Sequence, residues 1–153
     1  MRVRLIPAAA VAAAVALAGC GGKGPAAMHY GEDRCDYCRM NIADPAFGTQ
    51  LISGKGKVFR FDSIECLAAY ELAHQADIDA SARWLADVND PGTFLAGAKA
   101  VVVAGERLRS PMGLGLAATA SEEAGQRLAA ESGGRTVTWE EVRAYVADAW
   151  DIK

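Results

Sequence analysis

Histidine is almost missing from this 153-residue chain; it has two, His29 and His74. That scarcity removes the commonest general base and the commonest metal ligand from most of the molecule. No Ser/His/Asp set and no phosphate-cradling glycine loop is present, so the chain is read as a non-enzyme. Positive charge is short as well: 16 Lys and Arg stand against 19 Asp and Glu, a net charge of −3. An acidic balance argues against nucleic acid, or an anionic membrane surface, as a partner. Nor is there a long hydrophobic run. Ile6 to Leu17 is apolar, but a bilayer span takes about 20 such residues.

That short run has the marks of a processing signal. Arg2 and Arg4 precede it, and it ends in Leu17-Ala18-Gly19-Cys20, which looks like a lipobox. Residues 1–19 are expected to be removed, and the Cys20 thiol to carry a diacylglycerol anchor. An ordinary signal peptide with an incidental cysteine, or a short membrane anchor, are the alternatives. The lipoprotein reading places the protein outside the cytoplasm, on the periplasmic face of the inner or outer membrane. Residues 20–33, rich in glycine with a proline and without periodicity, read as a flexible linker.

Cysteine is scarce too, and its count is informative. With Cys20 lipidated, Cys35, Cys38 and Cys66 remain. An odd number of thiols in an oxidising compartment is a poor disulfide framework. A bound metal would keep them reduced. Cys35 and Cys38 lie in Cys35-Asp36-Tyr37-Cys38-Arg39-Met40, two thiols and a thioether within six residues. Soft sulfur donors of both kinds select Cu(I) over harder ions. In an extended segment Met40 falls on the same side as Cys38 and forms a two-sulfur claw with it. Met112 adds a thioether from a Ser110-Pro111-Met112-Gly113 turn, where a flexible apolar side chain has little to pack against. Cys66 and His29 are further candidate ligands, Met28 and His74 weaker ones. Zinc or iron–sulfur binding, thiol redox chemistry and a structural disulfide stay open as readings of the Cys-x-x-Cys.

The hydrophobic pattern predicts an α+β fold. Phe47–Ser53 and Lys57–Phe61 read as a hairpin. Asp62 and Glu65 suggest a capping box opening a helix to about His74, with Cys66, Ala69, Tyr70 and Ala73 on one face. Arg83–Val88 reads as a returning strand. The second half repeats the plan with strands at Ala98–Ala104 and Leu114–Thr119, a helix from Ser121 stopped by Gly133-Gly134, and a strand at Arg135–Thr138. A last helix follows a Thr138–Glu141 capping box, with Val142, Tyr145, Val146 and Ala149 on one side. Strand–strand–helix–strand thus appears twice, giving two small ββαβ units over residues 34–90 and 91–153.

The lipobox, Cys35-x-x-Cys38-x-Met40, the Val58-Phe59-Arg60-Phe61-Asp62 strand-to-helix junction, Ser110-Pro111-Met112-Gly113 and Gly133-Gly134 occur in this order. On these motifs the chain resembles the NosL family, lipoproteins associated with nitrous-oxide reductase, over about residues 30–145. The resemblance implies a Cu(I) chaperone that serves assembly of the reductase's copper–sulfide centre. It implies as partners the reductase and its ABC-type maturation complex, and a fold of two similar ββαβ units. It carries the ligand role onto Cys38, Met40 and Met112, with Cys35 in the same motif. Two positions depart: Arg39 stands where the family often has glycine, and Cys66 is a cysteine not expected there. The departures leave another recipient, such as a terminal oxidase, and a membrane-tethered thiol–disulfide protein using Cys35 and Cys38, as alternatives.

Overall fold

The computed structural model describes residues 24–75 and 80–153. The signal segment 1–19 and Cys20 lie outside the described residues. The described residues form three helices and seven strands, in the order β1 (Thr49–Ser53), β2 (Val58–Phe61), α1 (Ile64–Ala73), β3 (Ala80–Asp87), β4 (Asp90–Ala96), β5 (Val101–Gly105), β6 (Leu116–Thr119), α2 (Glu122–Ser132), β7 (Gly134–Val137) and α3 (Trp139–Trp150). All the strands belong to one sheet, ordered β2-β1-β3-β6-β5-β7, with β4 paired to β3.

The expected repeat is visible in that order. β1 is flanked by β2 and β3, both antiparallel to it. β5 is flanked in the same way by β6 and β7. Each half is therefore a ββαβ unit with its first strand in the middle. The halves join where β3 runs parallel to β6 at Asp87 and Ala118. β4 was not foreseen. Its sequence, Asp-Pro-Gly-Thr-Phe-Leu-Ala, opens on turn residues and carries little alternation. It forms because Phe94 and Leu95 pair with Ala86 and Leu85 of β3, so a neighbour overrides weak local preference.

Burial follows from layering. α1 is covered nearly all round: Ile64, Cys66, Leu67, Ala68 and Ala69 are all buried, because the helix packs on β1 and β2 on one side and on α3 on the other. A one-faced helix was expected, and Ala73 at the end of the expected stripe is exposed. Within α3, Val142 and Val146 enter the core, whereas Tyr145 is 43% exposed and Ala149 is exposed too. β5 is apolar on both sides because α2 covers one face. A Cβ on Gly125 of α2 would come within 2.6 Å of Val101 Cγ1, so glycine is what lets the helix lie so close.

The helix starts and stops are chemical. Thr138 and Glu141 form the expected capping box of α3, and Gly133, at φ +69°, ends α2. The start of α1 differs from expectation. Its N-cap is Ser63, whose side chain accepts from the Cys66 N–H. Asp62 is one residue too early, and its carboxylate turns to Cys38 instead.

Hydrogen bonds to the sheet begin at Ala26, inside the stretch read as linker. The Ala26 N–H donates to Gln50 Oε1, and Gln50 Nε2 donates back to Ala26 O at 2.7 Å. Arg60 donates to Ala27 O, and Met28 packs against the core. Among the described residues, no helix is long and apolar enough to cross a membrane.

Candidate metal centre

Two short segments make the site. The first, from Cys35 to Met40, is a closed turn. The Cys35 N–H donates to Met40 O at 2.8 Å, and the Arg39 N–H donates to Cys35 O at 3.1 Å. Asp36 fastens this turn to β2: its N–H donates to Arg60 O, and its Oδ2 accepts from the Arg60 N–H, both at 2.8 Å. Tyr37 stacks on Trp150 of α3, with centroids 5.9 Å apart and planes 9° from parallel. The second segment is the junction from Phe61 into α1, which carries Asp62 and, in the first turn, Cys66.

Folding the turn over the junction gathers four donors. The thiol sulfurs of Cys35, Cys38 and Cys66 and a carboxylate oxygen of Asp62 all lie within 4.8 Å of one another. Metal–thiolate bonds of about 2.3 Å put sulfurs around one ion roughly 4 Å apart, so only small shifts separate this arrangement from a coordination shell. All three thiols are free. Cys35 and Cys66 are fully buried, while Cys38 is half-buried. Cys38 is therefore the door to the cluster.

The thiols are not electrostatically equal. A hydrogen bond from the Cys66 thiol favours the Cys35 thiolate; it outweighs burial and, with nearby backbone N–H groups, brings Cys35 down to about 6. Burial pushes Cys38 up to about 11, and the neighbouring Cys35 thiolate adds to the effect. Cys66 is raised, first because its proton is held in the bond to Cys35. The surroundings thus favour the thiolate at Cys35 and the thiol form at Cys38 and Cys66. Asp62, 4% exposed, accepts from Cys38 through Oδ2 at 3.4 Å, while among the described residues its Oδ1 has no hydrogen-bond partner. An orphaned buried carboxylate oxygen is costly, and a cation in the cluster would satisfy it.

Of the residues expected at a site, the structure brings Cys35, Cys38 and Cys66 together and adds Asp62. The signal for Asp62 was its place beside Ser63 at the end of the Phe61 strand; reading it as a cap hid it. The backbone from Cys38 to Met40 is not the extended claw expected from spacing. Arg39 has φ +68°, in the left-handed region, and Met40 has 50% of its surface exposed. Met112 is half-buried against the core that contains Cys35 and Cys66. His29 is outside the cluster, its side chain 65% exposed and Nδ1 3.6 Å from Asp33. His74 stacks on Tyr70 and its Nδ1 lies 2.9 Å from Tyr70 O. Met28 packs against the core and Gly48.

The chain is similar to known proteins in sequence profile and in fold. The sequence profile of the NosL family matches residues 25–147. The crystal structure of the copper chaperone NosL from Shewanella denitrificans superposes with a TM-score of 0.69 at 20% identity, covering 78% of this chain and 95% of that one. At that identity the likeness is one of fold. No curated protein matches this chain in sequence. Since the profile spans most of the chain, from just before the Ala26–Gln50 clamp into α3, this protein belongs to the NosL family.

Proposed function

We propose that this protein is a membrane-anchored, extracytoplasmic Cu(I) chaperone that delivers copper for maturation of nitrous-oxide reductase. The observation that carries the proposal is the convergence of three free thiols and Asp62 within 4.8 Å. Thiolate and thioether are the donors Cu(I) prefers. Cys35 and Cys38 hold the ion, with Met40 and Met112 as thioether ligands and Cys66 within reach. Cu(I) is cargo here, so the site must release as well as bind. A half-buried Cys38 next to an exposed Met40 offers an incoming sulfur a way in, and exchange can proceed one ligand at a time.

The partners this reading implies are the reductase that takes the copper, its ABC-type maturation complex, and the membrane reached through a lipid on Cys20. A family member resembling a solved copper chaperone supports a carrier rather than an enzyme. The thiol–disulfide alternative fits the site less well. A redox dithiol presents its acidic thiol to the substrate. Here the acidic thiol, Cys35, is fully buried, and the accessible one, Cys38, is raised.

The test is titration of the anaerobic protein with Cu(I) against a chromophoric chelator. One ion should bind tightly per chain, and the Cys38→Ser/Met112→Leu double variant should bind at least a hundredfold more weakly, roughly 2.7 kcal/mol. Equal affinity in the two proteins would defeat the proposal. Transfer of bound copper to reductase lacking its copper–sulfide centre tests the recipient.

A further inference from the structure

Ser110 opens the Ser-Pro-Met-Gly turn, and the ligand set gives it no task. Its surroundings do. The Ser110 hydroxyl donates to Oε1 of Glu65, the residue before Cys66, and accepts from the Gly115 N–H at 2.9 Å. The Ser110 carbonyl accepts from the Gly113 N–H at 3.0 Å. Ser110 is thus the hub of the loop, with Met112 at its apex. Gly113 and Gly115, at φ +81° and +72°, supply left-handed turns that other residues resist. A Cβ on Gly115 would meet Gly105 O at 2.3 Å, so the far end of the loop is fixed against β5.

Glu65 is the unusual partner. It is fully buried, and among the described residues it has no ion pair. Oε2 has no hydrogen-bond partner. Burial raises Glu65 from the usual carboxylate range, against the hydrogen bond from Ser110 and weaker help from Ser63 and nearby backbone, and a buried acid without a counter-ion is unfavourable where a leucine would fill the space at less cost. What the acid does instead is tie two distant segments together. A continuous path runs from Cys66 through Glu65 and Ser110 to Met112, joining residues 45 apart in sequence by one hydrogen bond.

We infer that Glu65 is a positioning residue for copper capture: through Ser110 it holds the Met112 loop against the helix that bears Cys66, so that the thioether is in place before the metal arrives. The inference rests on the proposed role of Met112 as a ligand. Pre-organisation of this kind raises affinity because the ordering of the loop is complete before binding. Glu65 touches no metal; it acts through Ser110.

Cu(I) affinity and apo-protein melting are measured for Ser110→Ala, Glu65→Leu, Glu65→Gln, Met112→Leu and Ser110→Ala/Met112→Leu. Ser110→Ala and Glu65→Leu should each weaken binding about tenfold, as Met112→Leu does. The double variant should be no weaker than Met112→Leu alone, since both changes remove the same contact. Glu65→Gln keeps an acceptor oxygen for Ser110 and should bind within about twofold of the parent. Parental affinity in Ser110→Ala beside weakened Met112→Leu would overturn the positioning role and leave the ligand set standing. So would additive losses in the double variant. Parental affinity in Met112→Leu would remove Met112 from the ligand set and the inference with it. Failure of both Ser110→Ala and Glu65→Leu to fold would make the bond purely structural, which also overturns it.

Discussion

Cys38 and Asp62 are hydrogen-bonded at 3.4 Å across the mouth of the thiol cluster, joining the Cys-x-x-Cys turn to the start of α1. The bond runs from the thiol to Oδ2, and Oδ1 is left unpaired in a buried position. Burial is the first cause that raises Cys38, and the bond to Cys35 the first that raises Cys66; the negative charge of Asp62 adds to both. The surroundings of the apo site therefore favour the protonated form of Cys38, and a cation would take the place of that proton.

Removing that charge should wake the thiol. In Asp62→Asn the amide keeps the shape and can still accept from Cys38, but the Coulomb repulsion against a Cys38 thiolate is gone. Alkylation of Cys38 at neutral pH should speed up several-fold, since each pH unit off a thiol's pKa is about tenfold in thiolate fraction. The rate with iodoacetamide, read by mass spectrometry of the Cys38 peptide, checks this. A rate equal to or below that of the parent would show that Asp62 does not suppress the thiolate.

Copper affinity should rise with pH, and the sign follows from the two thiols. Cys35 is down at about 6, so above about pH 7 it is already a thiolate and releases nothing on binding. Cys38 is up at about 11, so through the neutral range it is a thiol and must lose its proton to bind as thiolate. One proton released makes apparent affinity grow about tenfold per pH unit between about pH 7 and 9. If Cys66 also coordinates, the slope doubles. Cys38→Ser should lower the slope by one proton. Chelator competition at several pH values, with proton release followed in weak buffer, measures it; a flat profile would exclude the Cys38 thiolate as a ligand.

The Cys66 thiol matters to Cys35 whether or not it binds metal. Its hydrogen bond is the largest effect lowering Cys35. Cys66→Ala should return Cys35 upward from about 6, so that thiolate ultraviolet absorbance at about pH 7 falls. Cys66→Ser keeps an O–H donor and should restore most of the absorbance. Unchanged titration in Cys66→Ala would mean the Cys35 thiolate is stabilised by the backbone alone.

The sequence was most readable where a residue type had one job. The Thr138–Glu141 box, the Gly133 stop and the valine-rich β5 follow from local chemistry, and so does the repeated strand–strand–helix–strand order. The two Cys-x-x-Cys thiols announced themselves by spacing. Legibility failed where tertiary contact reassigned a residue. Asp62 looks like an N-cap because Asp caps helices well, yet Ser63 takes the cap and frees the carboxylate for the cluster. Cys66 looks like core, and it is core, but the turn from Cys35 to Cys38 lands on top of it. β4 has no pattern of its own and exists because β3 offers it an edge. Glu65 fits a capping-box pattern in the sequence; its partner, Ser110, lies in the loop between β5 and β6.

Arg39 is where the backbone of the Cys35–Met40 turn enters a conformation that side chains resist. At φ +68° it sits in the left-handed region, between Cys38 and Met40, with its N–H bonded to Cys35 O and its carbonyl accepting from Arg34 Nε. A side chain there costs about 1–2 kcal/mol that glycine does not incur, and the greater freedom of glycine in the unfolded chain returns roughly 0.5–1 kcal/mol of that. Arg39→Gly should therefore stabilise the apo protein by up to about 1 kcal/mol in urea unfolding, with the slope unchanged. A β-branched residue, which tolerates this region least, should do the opposite, and Arg39→Val should lower the midpoint. The two variants keep every cluster donor, so Cu(I) affinity should follow the geometry of the turn: retained in Arg39→Gly, weakened in Arg39→Val. If Arg39→Val were as stable as Arg39→Gly, the turn would not be held in the left-handed conformation that closes Cys35 to Met40.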